Sequence, residues 1–173
     1  YTDLAYLTAD RSIGADAGEF FKNMAIGNLE GSYRRLLVAP HGMKDRLMAL
    51  IDREIAKGEK GYLFFKLNSV TDIDLVDKLR EASRAGVEVR MIVRGICCLL
   101  PGVEGETDHI QVRSIVGRYL EHARIYLFGR GEEERMYISS ADFMTRNMSH
   151  RVEVACPVLS GPARSKIQKL IEA

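Results

Sequence analysis

The chain contains no long uncharged apolar run, and without one no segment reads as a membrane-spanning helix. Charge of one sign is not in excess either: 25 lysines and arginines stand against 24 aspartates and glutamates, a formal net charge of +1. That balance argues against a nucleic-acid binder, which carries a basic footprint, and any anion site must come from local clustering. Cysteine is scarce, three in all, with Cys97 and Cys98 adjacent and Cys156 far off. Such spacing makes no disulfide framework, and the flanking Ile96 and Leu99 predict buried, reduced thiols of a cytosolic protein. Because C-x-x-C pairs and His/Cys clusters are missing, a structural zinc site is not expected. The first residues, Tyr1, Thr2, Asp3 and Leu4, lack the basic-then-apolar order of a signal peptide. There is no initiator methionine, and the abrupt start reads as a piece of a longer polypeptide. Internal repeats, linkers and low-complexity segments are absent.

What is present is enough for one domain: 173 residues, 46% of them hydrophobic, can bury a proper core. Tyr1 to Leu7 alternates as a short strand would. Ile13 to Met24 has helical spacing, with Phe20 and Phe21 on the packed side. Arg34 to Ala39 reads as a strand stopped by Pro40, with His41 and Gly42 at its carboxyl end. Met43 to Lys57 predicts a helix striped by Leu47, Leu50, Ile51 and Ile55 and ended near Gly58. Tyr62 to Leu67 is the next strand, delivering Asn68 and Ser69. A helix capped by Asp72 runs on to Gly86. Val87 to Val93 then forms a strand that ends at Arg94 and Gly95. Strand, helix, strand, helix, strand is a crossover pattern, which predicts parallel strands and puts Asn68 and Arg94 at one edge of the sheet. After an irregular stretch, Val112, Ser114 and Val116 resume a strand pattern. Val152, Val154 and Ala155 form another ended by Pro157, and Ser165 to Glu172 closes as a helix.

The chemistry concentrates between Arg118 and Asn147. His122 and Arg124 lie two apart in an alternating apolar run, so imidazole and guanidinium share a face. A polar turn of Gly129, Arg130, Gly131 and three glutamates returns the chain as Met136, Tyr137 and Ile138, a hairpin that brings Ser139, Ser140 and Asp142 back to the pair. A histidine, a fixed cation and several small donors around one pocket suit a tetrahedral phosphate. The same spacing also fits an ordinary half-buried histidine, and Arg113 and Arg118, which bracket its approach, also fit a plain surface. Arg94, directly after a buried strand, fits either a strand terminator or a ligand contact.

The order of these pieces resembles the phospholipase D superfamily, whose half-site is a strand with H-x-K, a hairpin return and a G-S/T-x-N-like turn. Here Arg124 replaces the lysine, Asp142 stands where asparagine is expected, and Gly129 occupies the place of the usual aspartate. A narrower resemblance takes in all three departures. YTDLAYLTA, LIDREI, VRGICC, RSIVGRYLEHARIY, YISSADFMTRN and RVEVACPV are together similar to the last domain of the long bacterial type of polyphosphate kinase.

That resemblance implies an α/β fold, a mixed and largely parallel phospholipase D-like sheet with helices on both faces, in a single domain spanning 1–173. It implies an enzyme that extends polyphosphate from the terminal phosphate of ATP, reversibly, through a phosphohistidine on the preceding domain. Carried onto this chain, Tyr1 would pack on the nucleotide, Arg94 and His122 would reach its phosphates, and His122 would be the catalytic residue. Arg124 would hold phosphate oxygens, while Ser139, Ser140 and Asn147 supply donors. Asp142 would orient a cation or hold Mg²⁺, a plain salt bridge being the alternative; the family's usual Mg²⁺ contacts lie upstream. ATP or ADP, polyphosphate and the upstream domains of the same polypeptide would be the partners, with no nucleic acid and no membrane span. The full-length enzyme would be a homo-oligomer, cytoplasmic or membrane-associated, and this piece alone inactive. Two alternatives stay open: a phospholipase D-like phosphodiesterase or nuclease that pairs two copies to complete its site, and a non-catalytic module that docks polyphosphate or organises an oligomer.

Overall fold

The computed structural model describes residues 1–172. Seven strands form one sheet in the order β1-β7-β6-β5-β2-β3-β4, with β1 at Leu37–Ala39, β2 at Tyr62–Leu67, β3 at Glu88–Val93, β4 at Ile110–Arg113, β5 at Arg124–Phe128, β6 at Arg135–Ser139 and β7 at Glu153–Pro157. Five helices accompany them: α1 (Arg11–Ala25), α2 (Met43–Ile55), α3 (Ile73–Arg84), the short α4 (Thr145–Ser149) and α5 (Gly161–Glu172). Among the described residues no helix is long and apolar enough to cross a membrane.

The sheet is mixed, and the expectation of a largely parallel one is corrected. Only β2–β3 and β3–β4 run parallel; β2–β5, β5–β6, β6–β7 and β1–β7 are antiparallel. The reason is connection length. A parallel neighbour needs a long crossover, which α3 supplies between β2 and β3, whereas the short link from β5 to β6 can only fold back as a hairpin. Gly129 at φ 76° and Gly131 at φ 67° give that hairpin its left-handed positions.

The two faces are covered as expected. All six residues of β2 are buried. Leu63, Phe65 and Leu67, with Val89, Met91 and Val93, meet Leu47, Leu50 and Ile51 of α2 and Leu75 and Leu79 of α3. On the other face Phe64, Ile125, Leu127 and Met136 pack with Ile167 of α5, while Ile13 and Phe20 of α1 lie with Leu36, Val38 and Val154. At the centre the Phe65 ring sits 4.9 Å from Phe143, 5.5 Å from Phe128 and 6.0 Å from Tyr126, and such aromatic packing is costly to empty.

Several local readings change. Tyr1–Leu7 is not a strand; its one ladder contact is an isolated bridge between Thr2 and Glu121. Phe21 points to solvent while Phe20 packs. The segment after β4 leaves the sheet at Arg113, so Val116 is exposed. The cysteines are free as expected, but Cys98 is exposed and Cys97 and Cys156 are half-buried.

Candidate functional site

Strand ends from both kinds of pairing meet at one edge of the sheet. β2 and β3 run parallel and deliver Asn68 and Arg94 together, and the antiparallel β5 and β6 place Arg124 directly opposite Ser139. Gly95 is what lets the end of β3 lie on the end of β2: its amide donates to the Asn68 carbonyl at 2.9 Å, and a Cβ there would stand 2.7 Å from that oxygen. The Arg94 Nε donates to Asn68 Oδ1, and Asn68 Nδ2 reaches the His122 carbonyl at 3.4 Å. Arg94 is therefore joined to the histidine segment through one amide side chain, without lining the cavity beside the imidazole.

That cavity, of about 330 Å³, is walled by Asp3, Leu4, His122, Arg124, Ser139 and Ser140, with Ile138, Val154 and Cys156 behind them. His122 precedes β5 and is held on several sides. Its amide donates to the Thr2 carbonyl at 3.0 Å, and its Nδ1 lies 2.8 Å from Asp3 Oδ2. Arg124 Nη1 lies 3.0 Å from His122 Nε2. A guanidinium only donates and a carboxylate only accepts, so Nε2 faces a donor and Nδ1 an acceptor. The Tyr1 ring meets the imidazole edge-on, centroids 5.1 Å apart at 84°, and is otherwise open to solvent. Burial by itself would raise the Asp3 carboxyl. Its hydrogen bonds with His122 and the Leu4 amide and the charges of His122 and Arg124 outweigh that and hold it below the ordinary carboxylate range.

Beneath His122, Lys66 extends from the buried strand β2, donates to the Ala123 carbonyl at 3.1 Å and pairs with Glu121 at 3.3 Å, gripping the residues on either side of the imidazole. Asp142 does the same for Arg124. It takes Nη2 at 2.9 Å and Nε at 3.3 Å, a two-point pairing that fixes the guanidinium plane. It also accepts the amides of Asn68 at 2.6 Å and Ser69 at 3.3 Å. Tyr126, whose buried phenol is pushed far up, donates to the Ala141 carbonyl at 2.5 Å and steadies the turn.

These contacts decide the open question on Asp142: it is a salt bridge and backbone anchor, and its oxygens are already engaged. Asp3 is likewise occupied by His122. Among the described residues no group of three or more His, Cys, Asp or Glu is arranged to hold a metal ion. The donor set at this edge therefore does not fit a Mg²⁺ site.

The serines stand on the cavity wall, but both hydroxyls are used internally. Ser139 Oγ accepts the Ala141 amide at 3.0 Å, and Ser140 Oγ donates to Glu153 and accepts the Val154 amide at 3.0 Å. Asn147 is not brought to the cavity. It is buried behind Asp142, whose amide it accepts at 2.8 Å, because the short α4 tucks its side chain under the turn. Arg113 and Arg118 are exposed. Sequence reasoning missed Asp3, Asn68 as a bridge, and Lys66; a lysine inside an otherwise apolar strand was the one available signal.

A family model described as polyphosphate kinase C-terminal domain 2 matches residues 36–173. The chain is 44% identical over 175 residues to a polyphosphate kinase of Bacillus anthracis, covering 99% of this chain and 25% of that protein. It is 46% identical over 167 residues to one of Erythrobacter litoralis, covering 91% and 23%. The crystal structure of polyphosphate kinase from Porphyromonas gingivalis superposes with a TM-score of 0.88 at 41% identity, over 95% of this chain and 26% of that one. Nuc from Salmonella typhimurium, a phospholipase D family member, matches with a TM-score of 0.56 at 14% identity over 80% of this chain and 91% of its own, which bears on the fold alone. The chain spans about a quarter of the length of the curated relatives it matches.

Proposed function

Because the chain belongs to the polyphosphate kinase C-terminal domain family, we propose that it supplies the nucleotide- and phosphate-binding part of a composite centre that moves the terminal phosphate of ATP reversibly onto polyphosphate. One observation carries the reading. His122 and Arg124 line one cavity at an end of the sheet, Arg124 held from behind by Asp142, and Arg94 is tied to the same end through Asn68 without lining the cavity. Phosphoryl transfer asks little covalent chemistry of a protein; it asks for alignment and for positive charge on the nonbridging oxygens.

In this scheme a histidine outside the chain, on the preceding domain, attacks the terminal phosphorus of ATP. A P–N bond forms as the bond to ADP breaks. The end oxygen of polyphosphate then attacks that phosphorus, a P–O bond forms, and the histidine is released. Arg94 and Arg124 neutralise the oxygens in flight. Arg124 Nη1 now donates to His122 Nε2, and an incoming phosphate oxygen competes for that donor and leaves Nε2 facing the phosphate. Tyr1, with one edge on His122 and its faces open, packs on the nucleotide. Ser139 and Ser140 shape the wall, and Asn147 acts through Asp142. When bound, Mg²⁺ would screen the phosphates, and its protein ligands would come from outside this chain.

The test uses the full-length polypeptide. His122→Ala and Arg94→Ala should each lower ATP-dependent polyphosphate formation by roughly 10²-fold or more, while the chain alone forms none. Long polyphosphate made from ATP by the chain alone would remove the missing-nucleophile part of the proposal. Unchanged rates in both variants would remove the rest, and hydrolysis of a bis-aryl phosphodiester lost on His122→Ala would replace it with a paired phosphodiesterase.

A further inference from the structure

At the opposite end of β6 from Ser139 lies a second concentration of positive charge. A cleft of about 260 Å³ is lined by Arg34, Arg35, Arg46 and Arg135 around Tyr137. Among the described residues none of these four arginines is in ion-pair contact with a carboxylate, in a chain whose net charge is only +1. Arg164 and Glu134 also line the cleft and neutralise each other at 2.8 Å, with Gln168 on the glutamate's other oxygen at 2.5 Å.

The cluster is built by the fold. Asp16 of α1, buried, accepts the amides of Arg34 at 3.2 Å, Arg35 at 2.5 Å and Leu36 at 2.9 Å, so the backbone carrying two of the guanidiniums is pinned at three points. Arg35 Nε is braced by Ser12 Oγ at 3.0 Å. Arg46 comes from α2 and Arg135 from the first position of β6, so three separate elements converge. Tyr137 is only 5% exposed and stands on the wall of the cleft. Burial pushes this phenol up, against the charges of Arg135, Arg46, Arg53 and Arg35 that surround it. Asp10 reaches Arg35 through the shared Ser12 hydroxyl and Asp16 spends its carboxylate on the three amides, but among the described residues Arg34, Arg46 and Arg135 have no carboxylate in ion-pair contact, and like charges so gathered are tolerated where an anion joins them.

We propose that this cleft is a second anion site that takes a stretch of condensed phosphate chain, apart from the reacting end. The choice of ligand rests on the polyphosphate reading given above. Planar guanidiniums suit phosphate oxygens, and Tyr137 adds a hydroxyl donor. Arg135 and Ser139 are four strand positions apart, about 13 Å, so the two sites are separate on the molecule and a long chain can occupy both.

The test is calorimetric titration of the full-length protein with long linear polyphosphate, with tripolyphosphate and with a single-stranded oligonucleotide of matched charge. Wild type should show two classes of polyphosphate site. The double variant R46Q/R135Q should lose one class and weaken long-chain binding about tenfold, with the KM for ATP unchanged and with recovery in R46K/R135K. The variant R94A/H122A should lose the other class. A single class, abolished by R94A/H122A and untouched by R46Q/R135Q, would overturn the second site while leaving the catalytic reading intact. A single class lost only in R46Q/R135Q would leave this site standing and sink the catalytic reading. Equal affinity of the cleft for the oligonucleotide would overturn its assignment to condensed phosphate.

Discussion

On the parallel side of the sheet, alternate residues of β2 and β3, among them Leu63, Phe65, Leu67, Val89, Met91 and Val93, pack against α2 and α3, and the polar Asn68 and Arg94 follow at the strand ends. On the antiparallel side, β5 and β6 reach the same edge with Arg124 and Ser139, backed by Asp142 and Asn147, a polar assembly buried almost as deeply as the core. The first half is held by the removal of apolar surface from water, which tolerates substitution of like volume. The second is held by directional contacts that fail together when one member is removed. A site able to grip anions needs the second kind of support. A guanidinium aimed at a ligand must itself be fixed, and in Arg124 the fixing group is a carboxylate.

That contrast can be broken by mutation. The largest effect is expected from Asp142→Ala, which leaves the nearly buried Arg124 charge unpaired and two amides without acceptors; a loss of about 3–5 kcal/mol in denaturant unfolding is expected. A loss below about 1 kcal/mol would show that the antiparallel half does not depend on the pair. On the parallel side, Leu79→Ala empties a fully buried position and should cost about 2–5 kcal/mol, whereas Leu79→Met should cost less than about 1.5 kcal/mol. Equal penalties for the two would contradict the idea that volume is what matters there. Asn147→Ala should cost about 1–3 kcal/mol by orphaning the Asp142 amide, and amide exchange at Asp142 should quicken.

The smallest effect is one of pH. The Asp3 carboxyl is held low in the folded chain, so the docking of the first residues on His122 is present above the ordinary aspartate range and is lost as pH falls through the lowered value. Exchange of the His122 amide, which donates to Thr2, should therefore accelerate in acid in the wild type and be fast and nearly independent of that titration in Asp3→Asn. Identical profiles in both proteins would show that the carboxylate does not hold the segment.

Much of the framework was legible because it follows local rules. The strand at Tyr62–Leu67 was read to its boundaries, since an apolar run between turn residues has few alternatives. Asp72 was identified as the cap of α3, whose Leu75 amide it accepts at 3.2 Å. The pairing of Arg124 with the returning Ser139 followed from hairpin geometry. The mixed direction of the whole sheet did not follow, because placing β5 beside β2 and β7 beside β1 is a long-range pairing that neither the apolar pattern nor a short connection specifies. Asn147, which the resemblance offers as a donor to phosphate, lies in α4 with its Oδ1 on the Asp142 amide, a placement that no local pattern encodes.

By itself, then, the order of residues determined most of the elements, the main apolar faces and, through its strings, the family. Only the tertiary structure decided that Asp3 would meet His122 from 119 positions away, that Lys66 would reach up beneath it, and that Asp142 would serve Arg124 in place of a cation. The physical reason is that period and propensity act between near neighbours along the chain. A charge's partner, by contrast, is chosen by whatever the closed sheet brings within hydrogen-bond reach.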